Sequence, residues 1–191
     1  MRDRIKDIFL ESIQVKEELL HKNISQIIEI ADLIIDALKK NGKAMLFGNG
    51  GSASDSQHIA AELVGRFKKD RNALPAISLT TNTSILTALA NDYGYEMVFA
   101  RQIEALGEKN DVAIGISTSG KAKNVVLGIK QAKKMGLRTI ALTGADGGEL
   151  TKLTDISLIV PSSVTARIQE AHITIGHIVC ELVEQAVCKE T

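Results

Sequence analysis

"KAMLFGNGGSASDSQHIAAEL", residues 43–63, decides how the rest of the chain is read. "KAMLFG" is a short, continuous apolar run. A strand reads this way when both of its faces are buried, as in a parallel sheet. The glycines of "GNGG" then open a helical pattern. Glycine-rich turns at helix starts present free backbone N–H groups and hold phosphate. Directly behind the turn stand His58 and Glu62. Four residues apart, they share one helix face.

Outward from this unit, the same rhythm repeats. Apolar runs recur at "AISLT" (76–80), "DVAIGIS" (111–117), "RTIALTG" (138–144) and "DISLIV" (155–160). Helical patterns separate them at about 53–67, 83–105 (broken near Tyr93-Gly94), 121–136 and 147–153, and a long last helix follows at about 164–187. Strand–helix alternation predicts an α/β fold, a doubly wound five-stranded parallel sheet of order 2-1-3-4-5. Two amphipathic helices precede it, at 2–21 and 24–40, the second closed by "KKNG". Five strands covered by their own crossover helices do not need this pair. It either adds packing to one face or forms an oligomer interface, and the second reading is favoured because such hairpins pair into bundles. Without repeats or linkers, residues 1–191 read as one domain: 1–41 for oligomerisation and 42–191 as the ligand-binding core.

Composition narrows the function. The formal net charge is zero, so no field steers the protein to nucleic acid or anionic lipid. Aromatics are 3% of residues and Trp is absent, which argues against a base-stacking platform. Cys180 and Cys188 lie eight residues apart in one helical pattern. That spacing is roughly 12 Å of axial rise, beyond the roughly 7 Å limit for a disulfide. A reduced, cytoplasmic location is the expectation. The opening "MRDRIKDIF" has no apolar stretch of signal-peptide type, and no run is long enough to span a membrane.

"GNGGSA" formally fits the dinucleotide pattern G-x-G-x-x-A. That pattern also needs an acidic residue after the second strand, where this chain has "SLTTNTS". A Walker loop would need Gly-Lys-Ser/Thr, which is absent. No nucleotide cofactor is expected. A second loop of similar chemistry, "STSGKAKN" (117–124), follows the third strand. Ser117, Thr118 and Ser119 offer hydroxyls ahead of a helix N-terminus. Strands one and three flank the switch point of such a sheet, where ligands bind. Hydroxyls and amides without arginine suit a small phosphoester such as a sugar phosphate. "TGADGGEL" (143–150) reads as a turn and helix start.

The last helix carries "RIQEAHITIGH" (167–177). Gln169 and His177 are about 80° apart around the helix and can face one site, whereas His172 and His177 are about 140° apart and cannot. His172 equally fits a hydrogen-bonded core residue. His58, Glu62, Gln169 and His177 could together bind a divalent metal. Glutamine is a weak ligand, so spacing alone does not single out zinc.

"GNGGSASDSQHIAAEL", "ANDYGYE", "GISTSGKAKN" and "TARIQEAHITIGH" together resemble the phosphoheptose isomerases of the sugar isomerase (SIS) domain family, over essentially the whole chain. The resemblance implies a flavodoxin-like SIS fold and interconversion of sedoheptulose 7-phosphate and D-glycero-D-manno-heptose 7-phosphate. That is the first step toward nucleotide-activated heptose for bacterial surface polysaccharides. It also implies a cytoplasmic homotetramer with one zinc per subunit, held by His58, Glu62, Gln169 and His177. Glu62 and His177 would be the acid/base pair. Asn49, Gly50, Gly51, Ser52, Asn91, Asp92, Ser117, Thr118 and Ser119 would bind substrate, with Glu62, Gln169 and a supporting Asp55. Ala122 and Ala166 stand where some relatives carry Ser and Asp. The chemistry agrees: an enediol isomerisation needs a base over two adjacent carbons and a group that protonates oxygen. A related SIS protein instead binds a replication initiator protein, and "MRDRIKDIFLESIQ" resembles that group. That group lacks the equivalents of Glu62 and His177.

Overall fold

The computed structural model describes residues 1–188. Helices α1 (Arg2–Lys22) and α2 (Ile24–Lys39) form the N-terminal hairpin. Then come β1 (Ala44–Gly48), α3 (Gly51–Val64), β2 (Ala76–Ser78), α4 (Thr83–Tyr93), a 3-10 turn (Tyr95–Met97), α5 (Val98–Leu106) and β3 (Val112–Ser117). The chain continues through α6 (Lys123–Lys134), β4 (Arg138–Gly144), a 3-10 turn (Leu150–Lys152), β5 (Ile156–Val160) and α7 (Thr165–Val187). The strands form one parallel sheet of order β2-β1-β3-β4-β5. Fold class and strand order match the sequence reading.

Alternation along the strands explains the two layers. Ala44, Leu46, Val112, Ile114, Ile140 and Leu142 point to one face, where α2, α3 and α7 cover them. Met45, Phe47, Ala113 and Ala141 point to the other, against α5 and α6. Each fully buried large aliphatic or aromatic side chain contributes about 1.5–3 kcal/mol, so β1 and β3, buried along their whole length, anchor the molecule. The crossover from β1 to β2 packs on the first face and the return to β3 on the second. That reversal leaves the ends of β1 and β3 side by side, with Gly48 opposite Ile116.

Two details differ from the periodicity. The helical pattern at 147–153 yields only the 3-10 turn Leu150–Lys152. Gly147 and Gly148 both adopt positive φ, and the N–H groups of Glu149 and Leu150 donate to the Gly120 carbonyl instead of continuing a helix. Helix α3 begins at Gly51, two residues earlier than read, because the turn at Gly50 (φ +56°) completes the bend at once. Cys180 and Cys188 are free thiols. Among the described residues, no helix is long and apolar enough to cross a membrane.

Candidate active site

The loops after β1 and β3 emerge together and are fastened to each other. Asn49 and Asn124 exchange two side-chain hydrogen bonds, both 2.8 Å. The Tyr95 hydroxyl donates to Asn49 at 3.2 Å and brings in the turn after α4. Gly51 opens α3 directly beneath α7: a Cβ there would lie 2.4 Å from Gln169 Nε2. Only glycine lets the α7 amide come this close to the helix start. Ser52 is buried in the first turn. Ser117 ends β3 buried, Thr118 is half-buried and Ser119 is exposed, its Oγ accepting from the Lys121 N–H at 3.2 Å. The 144–150 segment underpins this loop through its bonds to Gly120.

One face of α3 carries Asp55, His58 and Glu62. Helix α7 crosses it and delivers His177, 119 residues further along the chain. His58 Nε2 and His177 Nε2 are 2.9 Å apart, so one ring nitrogen donates and the other accepts. Glu62 Oε1 lies 3.3 Å from the same His58 nitrogen. One ligand atom from each of His58, Glu62 and His177 falls within 4.8 Å of the others. Two imidazole nitrogens and a carboxylate oxygen are a donor set that zinc accepts in catalytic sites with an open position. Burial pushes the Asp55 carboxyl up to about 6 despite the neighbouring His58, and its Oδ2 has no hydrogen-bond partner.

Thus three of the four expected metal ligands converge, and Gln169 lies against Gly51 at the head of the same helix. Asn91 and Asp92 are exposed at the end of α4 and bond to each other at 2.8 Å; among the described residues neither bonds to the loops. His172 turns away from the pocket. It is fully buried and bonds to the Thr143 carbonyl at 3.0 Å, and desolvation lowers its imidazole to about 4.

The sequence reading missed Asn124, Tyr95, Phe67, Arg71 and Glu184. The Phe67 ring lies 5.7 Å from that of His177. Glu184 follows His177 by two helical turns and so shares its face, a spacing visible in the sequence. Nothing local marked Arg71 as its partner.

The SIS domain family model matches residues 9–144. A phosphoheptose isomerase of Aquifex aeolicus is 56% identical over all of both chains. One of Clostridium acetobutylicum is 52% identical over all of this chain and 98% of its own. The chain belongs to the phosphoheptose isomerase family of SIS domain proteins. The fold agrees with solved structures of that family. The phosphoheptose isomerase GmhA of Neisseria gonorrhoeae superposes with a TM-score of 0.92 at 42% identity, over 96% of this chain and 98% of that one. The Francisella tularensis phosphoheptose isomerase gives 0.93 at 37% identity, over 96% and 97%.

Proposed function

We propose that the chain is a phosphosugar isomerase. It converts sedoheptulose 7-phosphate to D-glycero-D-manno-heptose 7-phosphate, the first step toward nucleotide-activated heptose for lipopolysaccharide and other bacterial surface polysaccharide. The observation that carries this reading is the convergence of Glu62 and His177, from separate helices, on the His58 nitrogen beside two phosphate-type loops. Membership of a family whose relatives match end to end supports the substrate.

In this reading Asn49, Gly50, Gly51, Ser52, Ser117, Thr118 and Ser119 hold the phosphate end, and Asn91, Asp92 and Gln169 the sugar. Glu62 takes a proton from C1 of the ketose. The C–H electron pair becomes the C1–C2 double bond while the C2 carbonyl oxygen is protonated. His177 supplies that proton and takes one from the C1 hydroxyl. Glu62 returns its proton to C2 and the aldose forms. A half-buried carboxylate suits the carbon proton, and an imidazole, with one ring nitrogen to donate and one to accept, suits proton exchange with the oxygens. Asp55 supports the α3 face. Zinc, held by His58, Glu62, Gln169 and His177, would supply Lewis-acid polarisation of the substrate oxygens.

The chain acts as a cytoplasmic homotetramer and a single SIS domain, with residues 1–41 as the assembly element. An apolar groove of about 480 Å³ between α1, α2 and α7, lined by Leu20, Ile24, Ile28 and Ile178, supports this. Those four side chains are exposed in the lone subunit. Purified protein mixed with sedoheptulose 7-phosphate should produce the aldose by NMR. Binding without turnover would instead make it a non-catalytic sugar-phosphate module.

A further inference from the structure

Far from the phosphate loops, a buried ion pair ties the two catalytic helices together. Arg71, in the segment after α3, and Glu184, near the end of α7, have side chains only 5% and 2% exposed, with Arg71 Nε 3.0 Å from Glu184 Oε2. Every face of the pair is used. Glu184 Oε2 also accepts the Phe67 N–H at 3.0 Å, and Oε1 accepts those of Lys68 and Lys69 at 2.8 Å. The guanidinium donates to the carbonyls of Glu62 and Leu63 at 2.9 Å, of Asn72 at 3.0 Å and of Gly65 at 3.3 Å. These include carbonyls that the last turn of α3 leaves without helical partners.

A buried ion pair is a poor device for stability alone, because desolvating both charges offsets their attraction. What this one fixes is geometry. Through Arg71 it grips the backbone of Glu62 itself. Through Glu184 it belongs to the helix and face that carry His177. Through the Phe67 N–H it sets the Phe67 ring beside the His177 imidazole.

We infer that Arg71 and Glu184 are positioning residues that hold Glu62, His177 and Phe67 in mutual register. The effect on catalysis rests on the isomerase reading; the register itself does not. Positioning errors near 1 Å can cost about 10²-fold in rate. Glu184→Gln keeps the shape but weakens the grip on the amides and the guanidinium. Its kcat should fall about 10²-fold. KM for sedoheptulose 7-phosphate should stay unchanged, because the phosphate loops lie at the other end of α3. Arg71→Lys keeps the charge and loses the fork, so it should show the same split. The double variant Arg71→Lys/Glu184→Gln should lose no more than the worse single change. In the ligand-free proteins, NMR should show the His177 ring protons losing the ring-current shift that Phe67 imposes.

Unmoved His177 resonances in folded Glu184→Gln and Arg71→Lys would overturn the inference, whatever the activity. A rise in KM with kcat unchanged, or additive losses in the double variant, would overturn it as well. Moved resonances in a protein whose wild type does not turn over the substrate would uphold the register and refute the isomerase reading instead.

Discussion

The two sides of α7 use the same side chain for opposite ends. His172 and His177 are five residues apart. One is sealed between α7 and β4, bonded to the Thr143 carbonyl and held neutral by desolvation, which lowers it to about 4. The other meets His58 at 2.9 Å in a pocket that solvent reaches. An imidazole sealed from solvent serves as a hydrogen-bond donor in the core. An imidazole beside a second imidazole and a carboxylate can exchange protons or bind a metal. Surroundings, not residue type, assign the role.

Substitutions can break this comparison, the pocket side with the largest effect. Glu62→Gln keeps the shape and removes the proposed base. Turnover should fall by about 10²–10⁴, and exchange of the carbon-bound substrate hydrogen with D₂O should vanish from the NMR record. Wild-type exchange in this variant would reverse the roles of Glu62 and His177. His177→Asn should suppress turnover while leaving some exchange, since Glu62 remains. Metal analysis of the same proteins sharpens the contrast: wild type should carry one zinc per subunit, and His177→Asn should lose it. Activity that survives thorough chelation would leave zinc without an essential role.

Smaller effects should follow at the proposed phosphate end. Ser119→Ala removes one hydroxyl from the loop after β3. Loss of one hydrogen bond to a charged group should weaken substrate binding by about 1.5–3 kcal/mol, with thermal unfolding unchanged. Equal affinity by calorimetry would move the phosphate elsewhere.

The core side should affect turnover least and pH stability most. A histidine lowered in the folded state favours the native fold above its unfolded pKa of 6.5. That stability is lost as pH falls from about 6.5 toward 4. At about 1.36 kcal/mol per pH unit, His172 accounts for about 3 kcal/mol across that window. His172→Gln should therefore flatten the acid limb of denaturant unfolding measured between those pH values and leave kcat intact. An unchanged limb would mean that His172 is not desolvated as its burial implies.

Much of this was legible along the chain because it is written locally. Continuous apolar runs announced strands buried on both faces. The turn at "GNGG" announced a helix start, and the spacing of His58 and Glu62 announced a shared face. The 147–153 segment misled because its helical pattern begins with two glycines whose positive φ commits the backbone to a turn. Asn124 and Tyr95 went unread because a polar residue in the first turn of an ordinary helix does not reveal that it holds a neighbouring loop.

By itself the sequence determined the five strands, most of the helices and their order, since periodicity and turn chemistry act over a few neighbours. Only the tertiary structure decided that His177 reaches His58 while His172 does not leave the core, and that Arg71 finds Glu184 across 113 residues. Those meetings depend on how α3 and α7 cross over the sheet. That crossing is set by the summed packing of many buried aliphatic side chains, a collective quantity that no single stretch of the chain encodes.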